Sequence, residues 1–402
     1  MGIKSREVVF FVFIVFAFLS AFFFIRDRAL FVDEEVHYLQ IQRFIHGDFE
    51  VYDIITVIPG YHYLFSFTAR VFSFYTIGEI RMLNAIAGLI SVFVFLLLVF
   101  RIHGEKGLGK GLEYVFFPIL FPFFFLIYTD VLSLLMVLAM LYFVLMKRYK
   151  IAGIFGIFAF FVRQNNVVWM AFMVAFVYIE ENGWKFDIRK ILELLKKTWV
   201  FVFGLVAALC FFIYNRGFSL GDRAMHESGF YLGNIFFILF LFFFLFLPMN
   251  IGNFWKIKHF VKKNKWIWFV VLGIFFIYMK FFVVNHPYNL KAQDYFLRNL
   301  LLHKFMIGNL IKTILFFPIA YSILSLCIIR LKRKEFYLFY LFAILSLIPM
   351  GLIEQRYYLI PFSLFILFKE GDKSWIEMVT ICFYVILSVV LFYLIGEVKF
   401  FL

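Results

Sequence analysis

Apolar runs recur from Val8 to Ile395, separated by short polar connections. Most have the length of about 17 to 22 residues that a helix rising 1.5 Å per residue needs to cross the hydrocarbon of a bilayer. They predict helical spans near 8–25, 82–100, 112–128, 131–146, 151–162, 166–179, 198–214, 230–249, 266–284, 308–329, 336–351, 357–368 and 376–396. That pattern describes one all-α, polytopic transmembrane bundle of about thirteen spans, a single domain over residues 1–402. The first run follows Lys4 and Arg6, is longer than a signal-peptide core and lacks a small-residue cleavage pattern, so it is expected to be retained as a span.

The polar connections differ in sign. RIHGEKGLGK, KRYK, the segments from Lys185 to Lys197 and from Lys256 to Lys265, RLKRK, KEGDK and the N-terminus together hold 24 of the 39 Lys and Arg. All fall on one side if residues 56–75 lie in the interface instead of crossing. Positive charge is retained on the cytoplasmic side, so the N-terminus is expected there. Pro59-Gly60 breaks the chain before an aromatic stretch interrupted by Arg70, which suits a helix lying in the headgroup plane or a structural turn.

Composition agrees with lipid as the solvent: 65% of the residues are hydrophobic and 16% charged. A net charge of +14 confined to short clusters between apolar runs argues for membrane anchoring and against a nucleic-acid partner. Cys210, Cys327 and Cys382 sit inside apolar runs and form neither a disulfide framework nor a metal-ligand spacing. The 66 Phe residues read as a lipid-facing bias.

Chemistry gathers on the face opposite the basic connections. The first outer loop, about residues 26–81, holds Asp33, Glu34, Glu35, Asp48, Glu50 and Asp53. On a helix starting at residue 33, Asp33, His37 and Gln40 share one face, a carboxylate, an imidazole and an amide suited to a sugar. Asp33-Glu34 also reads as a helix cap and first-turn acid. His46 and His62 read as interfacial residues, and no His, Asp or Glu spacing matches a zinc signature. No metal or other cofactor is expected. A transporter would place ionisable groups at mid-span, and few are found there.

The order of these residues resembles a known family. Asp33-Glu34, His37, Gln40, Gln42-Arg43, Gly47 and Phe49, followed by Tyr52-Asp53, Thr56 and Pro59-Gly60, are similar to the first luminal loop of the dolichyl-phosphate-glucose-dependent alpha-1,2-glucosyltransferases. Further blocks follow in the same order: Arg81-Leu83-Asn84, Tyr128-Thr129-Asp130-Val131, Arg163-Gln164-Asn166 with Trp169, His286-Pro287, and Glu354-Arg356-Tyr357-Tyr358-Pro361. Asn165 stands where that family usually has Thr, Ile58 replaces one of its paired prolines, and the polar stretch after His286-Pro287 shrinks to Tyr288 through Asp294.

The resemblance implies a GT-C type bundle with short luminal helices in the first loop, in the endoplasmic reticulum membrane, with its active site luminal. It implies a dolichyl phosphate glucose donor and a dolichyl-diphosphate oligosaccharide acceptor carrying two glucoses. Inversion at the sugar needs a base, for which Asp33 is the candidate and Glu34 the alternative, and cations for the leaving phosphate, for which Arg163, His286, Lys291 and Arg356 are candidates. Asp130 and Gln164 are candidates for binding sugar hydroxyls. Carried over with the blocks as substrate-binding residues are His37, Gln40, Gln42, Asp53, Glu354 and Tyr357. Competing readings are another GT-C transferase using a polyprenyl-phosphate sugar, and a transporter or scramblase.

Overall fold

The computed structural model describes residues 5–291 and 295–402, and of residues 5–9 and Lys106 the backbone alone. Lys4 and the Ala292-Gln293-Asp294 end of the shortened polar stretch lie outside the described residues. Within them the protein is all-helical: β-structure is limited to two isolated bridges, Phe296 with Phe401 and Leu331 with Lys369. The helices are α1 (Ser5–Ile25), α2 (Asp33–Ile45), α3 (Gly60–Phe72), α4 (Ile77–His103), α5 (Leu108–Val115), α6 (Thr129–Leu145), α7 (Tyr149–Val162), α8 (Val167–Asn182), α9 (Ile188–Lys197) and α10 (Trp199–Asn215). They continue as α11 (Gly233–Leu245), α12 (Leu247–Gly252), α13 (Phe254–Lys263), α14 (Ile267–Phe281), α15 (Pro287–Leu290), α16 (Leu297–Met306), α17 (Asn309–Ile328), α18 (Leu338–Leu347), α19 (Leu359–Phe368) and α20 (Ser374–Gly396).

Local chemistry sets several boundaries. Thr76 and Glu79 form a reciprocal capping box that starts α4: the Glu79 amide donates to Thr76 Oγ1 at 3.3 Å, and the Thr76 amide to Glu79 Oε2 at 2.8 Å. Asp187 caps α9 by accepting from the Arg189 amide at 2.9 Å. The run read as a span over 112–128 is not one helix. After α5, Pro118 and Pro122 each lack an amide donor and crowd the preceding turn, and the chain continues as a 3-10 turn over Phe121–Phe124. Residues 113–135 are buried throughout, so this irregular backbone is surrounded by protein.

Among the described residues, three helices are long and apolar enough to cross a bilayer as single rods, α4, α17 and α20, and five spans result if the bent pairs α9–α10 and α13–α14 are counted. Helix α1 has 21 residues, of which the side chains are described from Phe10 onward, and α6, α7 and α11 are shorter apolar helices. Apolar periodicity therefore located helices to within a few residues, but at 112–128, 230–249 and 336–351 prolines and turns interrupt runs that composition leaves continuous. Helix α3 has thirteen residues and is about 20 Å long. It packs Tyr61, His62, Phe65 and Ala69 inward and exposes Leu64, Phe67, Val71 and Phe72.

The connections segregate to two ends. At one end the His103 ring bonds the Leu367 carbonyl at 2.7 Å, Lys369 pairs with Glu113 and Asp372, Arg333 with Glu180 at 3.0 Å, and Lys197 with Glu181 at 2.8 Å. Gly252, closing α12, sits against Ile376 at the start of α20. The basic connections thus meet at this end. The other end gathers α2, α3 and the loops around Asp130, Arg163, Asp222, Tyr288 and Glu354.

Candidate active site

Consecutive residues on a helix point about 100° apart, and the first turn of α2 uses that difference. Glu34 turns inward and is fully buried, taking both fork nitrogens of the equally buried Arg81 at 2.8 and 2.6 Å and the Ile127 amide at 3.0 Å. Arg81 also donates to the carbonyls of Ile25, Arg28 and Ala29, closing the exit from α1. Every strong partner of Glu34 is thus structural. Asp33 turns the other way, is about half exposed, and receives Arg356 Nη2 at Oδ2 at 2.7 Å. Among the described residues its Oδ1 has no hydrogen-bond partner.

Asp33 borders a cavity of about 320 Å³ walled by the first loop and by segments far away in sequence. Of the residues singled out from sequence, Asp33, His37, Arg163, Lys291, Glu354, Arg356 and Tyr357 line it. Arg356 joins several of these residues. Its guanidinium bonds Glu354 at 2.6 Å as well as Asp33, approaches Asp130 at 4.0 Å and stacks over Tyr128 with its carbon 5.0 Å from the ring centroid. Burial opposes its charge, but Glu354, Asp33 and Asp130 outweigh that and hold its pKa well above the ordinary arginine value. Asp130 stands behind the wall, joined to Arg163 in a close ion pair.

His37 contacts the cavity with one edge and meets His62 with the other, Nδ1 to Nε2 at 3.0 Å. Burial first, then Arg356 and Arg163, push the His37 pKa down to about 3. Burial and the His37 ring hold His62 well below its ordinary value. Both rings are neutral at working pH.

Other sequence candidates hold the walls and do not line the cavity. Gln40 is buried, donating to the Glu50 carbonyl at 3.0 Å and accepting from the Tyr52 amide at 2.8 Å, which folds the loop back on α2. Gln42 donates to the Tyr75 carbonyl at 2.8 Å. Asp53 is exposed on the loop surface. Gln164 ties three segments, bonding the Thr56 and Phe218 carbonyls and the Ile58 amide, and borders a smaller neighbouring pocket. His286 caps α15, accepting from the Tyr288 amide at 3.2 Å, and its other nitrogen meets the Met225 carbonyl at 2.7 Å. Burial lowers its pKa.

Among the other lining residues, Asp222, His226, Tyr288 and Arg298 carry polar groups and were not site candidates from sequence. Arg298 Nη1 reaches Glu354 at 3.1 Å, and the Tyr288 hydroxyl donates to Asp222 at 3.0 Å. Their one sequence signal was their position in connections that loop charge had already assigned to this face. The lining totals four cations, Arg163, Lys291, Arg298 and Arg356, against three carboxylates, Asp33, Asp222 and Glu354. Among the described residues no group of three or more His, Cys, Asp or Glu is placed to hold a metal ion.

Fold and site together define a helical membrane protein with a charged, carboxylate- and arginine-lined cavity at one end of its bundle. The DIE2/ALG10 family model matches residues 27–184 and 178–367, and the chain belongs to that family. It is 24% identical over 453 residues to an Arabidopsis thaliana protein named Dol-P-Glc:Glc(2)Man(9)GlcNAc(2)-PP-Dol alpha-1,2-glucosyltransferase, covering 87% of this chain and 89% of that one. A Homo sapiens protein of the same name is 23% identical over 401 residues, covering 84% and 83%. The crystal structure of ArnT from Cupriavidus metallidurans in the apo state overlays on 98% of this chain and 78% of its own, at 13% identity and a TM-score of 0.47, a likeness that adds nothing to the assignment.

Proposed function

We propose that the protein is an inverting alpha-1,2-glucosyltransferase that moves glucose from dolichyl phosphate glucose to a lipid-linked oligosaccharide already carrying two glucoses. The observation that carries the reading is the Asp33 carboxylate at the cavity edge, bonded to Arg356 and facing the cations Arg163, Lys291 and Arg298. Family membership and the names of relatives sharing most of the chain's length support the donor and acceptor.

In this scheme the acceptor 2-hydroxyl enters beside Asp33, which takes its proton as the oxygen attacks C1 of the β-linked glucose. The bond from C1 to the phosphate oxygen breaks with its electron pair, and dolichyl phosphate leaves. The negative charge gathering on that phosphate is met by arginine forks already fixed in place, so little reorganisation accompanies the step. Arg356 serves twice, positioning Asp33 and offering its fork to the phosphate. His37, neutral, offers a hydrogen bond to sugar oxygens without adding charge. The scheme requires no metal.

The same reading takes residues 1–402 as one domain of GT-C type with about thirteen passes, the shorter helices completing the spans. It puts the cavity end, including the first loop over about 26–81, in the lumen of the endoplasmic reticulum and the basic end with the N-terminus in the cytoplasm.

The test is transfer in detergent or liposomes, with synthetic dolichyl phosphate glucose and a lipid-linked glycan carrying two glucoses. A third, alpha-1,2-linked glucose in the product is the expected result. No product from folded protein, together with transfer from another polyprenyl-phosphate sugar, would overturn the donor assignment.

A further inference from the structure

Two helices at the end away from the cavity do not continue their neighbours. Helix α9 meets α10 at 90°, and α13 meets α14 at 106°. Their shared end follows from contacts alone. Glu180 and Glu181, at the end of α8 just before α9, bond Arg333 and Lys197, while Gly252, just before α13, packs on Ile376. From α9 the chain passes along α10 to the cavity loop holding Asp222 and His226, returns through α11 and α12 to α13, and rises again along α14 toward Tyr288. A sharp bend at the foot of a span lays the preceding helix across the span's axis.

Each bent helix leaves apolar side chains uncovered. On α9, Ile188, Leu192 and Leu195 are exposed at helical spacing, continuing to Trp199 at 53% exposed. Its polar side carries Arg189, Lys190, Lys196 and Lys197 with the single acid Glu193, and Lys197 is paired with Glu181. On α13, Phe254 and Trp255 are exposed, Trp255 at 70%, and Trp266 and Trp268 follow it. Five lysines and no acid lie between Lys256 and Lys265, with the Lys258 ammonium 4.7 Å from the Trp255 ring centroid. Positive charge retained on one side would alone explain lysines in a loop. It does not explain exposed apolar and indole side chains carried beside those basic residues on helices turned across the bundle axis, which is the form of an interfacial anchor.

We propose that α9 and α13 form a docking surface for anionic phospholipid headgroups in the leaflet at the end opposite the active site. Apolar and indole side chains enter the acyl boundary, and the lysines and Arg189 above them bind lipid phosphates. Charge complementarity selects anionic over zwitterionic lipid, because each basic residue held at such a surface gains attraction that a neutral headgroup lacks. The inference rests on the membrane reading alone and is independent of which sugar is transferred.

Five of the seven tryptophans, Trp184, Trp199, Trp255, Trp266 and Trp268, belong to or flank these helices and are exposed, so the protein carries its own reporters. The full chain, with W375F removing the exposed tryptophan of α20, is placed in phosphatidylcholine nanodiscs containing either brominated phosphatidylserine or brominated phosphatidylcholine at equal mole fraction. Quenching is expected to report a roughly five- to tenfold preference for the anionic lipid, which high salt removes. The triple variant K258Q/K262Q/K263Q should reduce it severalfold. Equal quenching by the two lipids, or a preference unmoved by salt, overturns the proposal, and the salt series decides even if the variant fails to fold.

Discussion

His37 and His62 are joined ring to ring at 3.0 Å, and the far nitrogen of His62, Nδ1, is buried without a partner among the described residues. A buried N–H lacking an acceptor is the costlier orphan, and an unused lone pair the cheaper one. The proton therefore sits on His62 Nε2 and is donated to His37 Nδ1, which leaves the proton of His37 on Nε2, the edge facing the cavity. His62 thereby sets the tautomer of a residue that lines the cavity. His62→Leu should lower kcat about tenfold, the worth of one misdirected hydrogen bond. His62→Gln, whose amide can still donate to Nδ1, should retain most of the activity. Equal loss in both variants would mean that His62 only fills space.

Asp33→Asn removes the base and keeps the shape. Transfer is expected to fall by about 10² to 10⁴, while the melting temperature changes little, because Asp33 is half exposed. Undiminished transfer by this variant would place the base elsewhere.

The adjacent acid should behave in the opposite way. Glu34→Gln leaves Arg81 buried with a missing counter-charge, a change that costs about 3–5 kcal/mol. The expected outcome is a lowered denaturation midpoint, read in detergent, with the specific activity of the folded fraction largely kept. A stable but inactive Glu34→Gln protein would contradict the structural role of this pair.

Arg356→Lys preserves charge but removes the planar fork that reaches Glu354 and Asp33 together. A loss of about 10² to 10³ in kcat is expected, as for removal of a fixed donor to a developing anion. Steady-state kinetics at saturating donor check it, and wild-type kcat would refute the role.

Acidification should destabilise the cavity end. The His37 pKa drops from 6.5 in the unfolded chain to about 3 in the folded protein, so between those values the unfolded chain binds a proton that the native state refuses. The stability present above about pH 6.5 is thus lost progressively as the pH falls toward about 3. Melting temperatures across that window should decline, and His37→Gln should flatten the slope. An unchanged slope would show that other groups carry the dependence.

Much of the protein is legible in its sequence. Apolar runs declare a helical membrane chain because the hydrocarbon thickness and the helical rise fix the lengths involved. Loop charge sorts the connections into two sets, which side-chain contacts bring together at the two ends. The ordered blocks around Asp33, Asp130, Arg163 and Arg356 identify the family. Tertiary structure alone decides which of two neighbouring acids faces the cavity and which is sealed against Arg81, since adjacent residues on a helix diverge and no local pattern says which direction is inward. It also recruits Arg298, Asp222 and His226, residues without a motif of their own, and joins Asp33 to Arg356 across 323 positions. The physical reason is range: hydrophobic periodicity and charge bias act over one helix or one loop, whereas an ion pair across the cavity exists only once distant segments have packed.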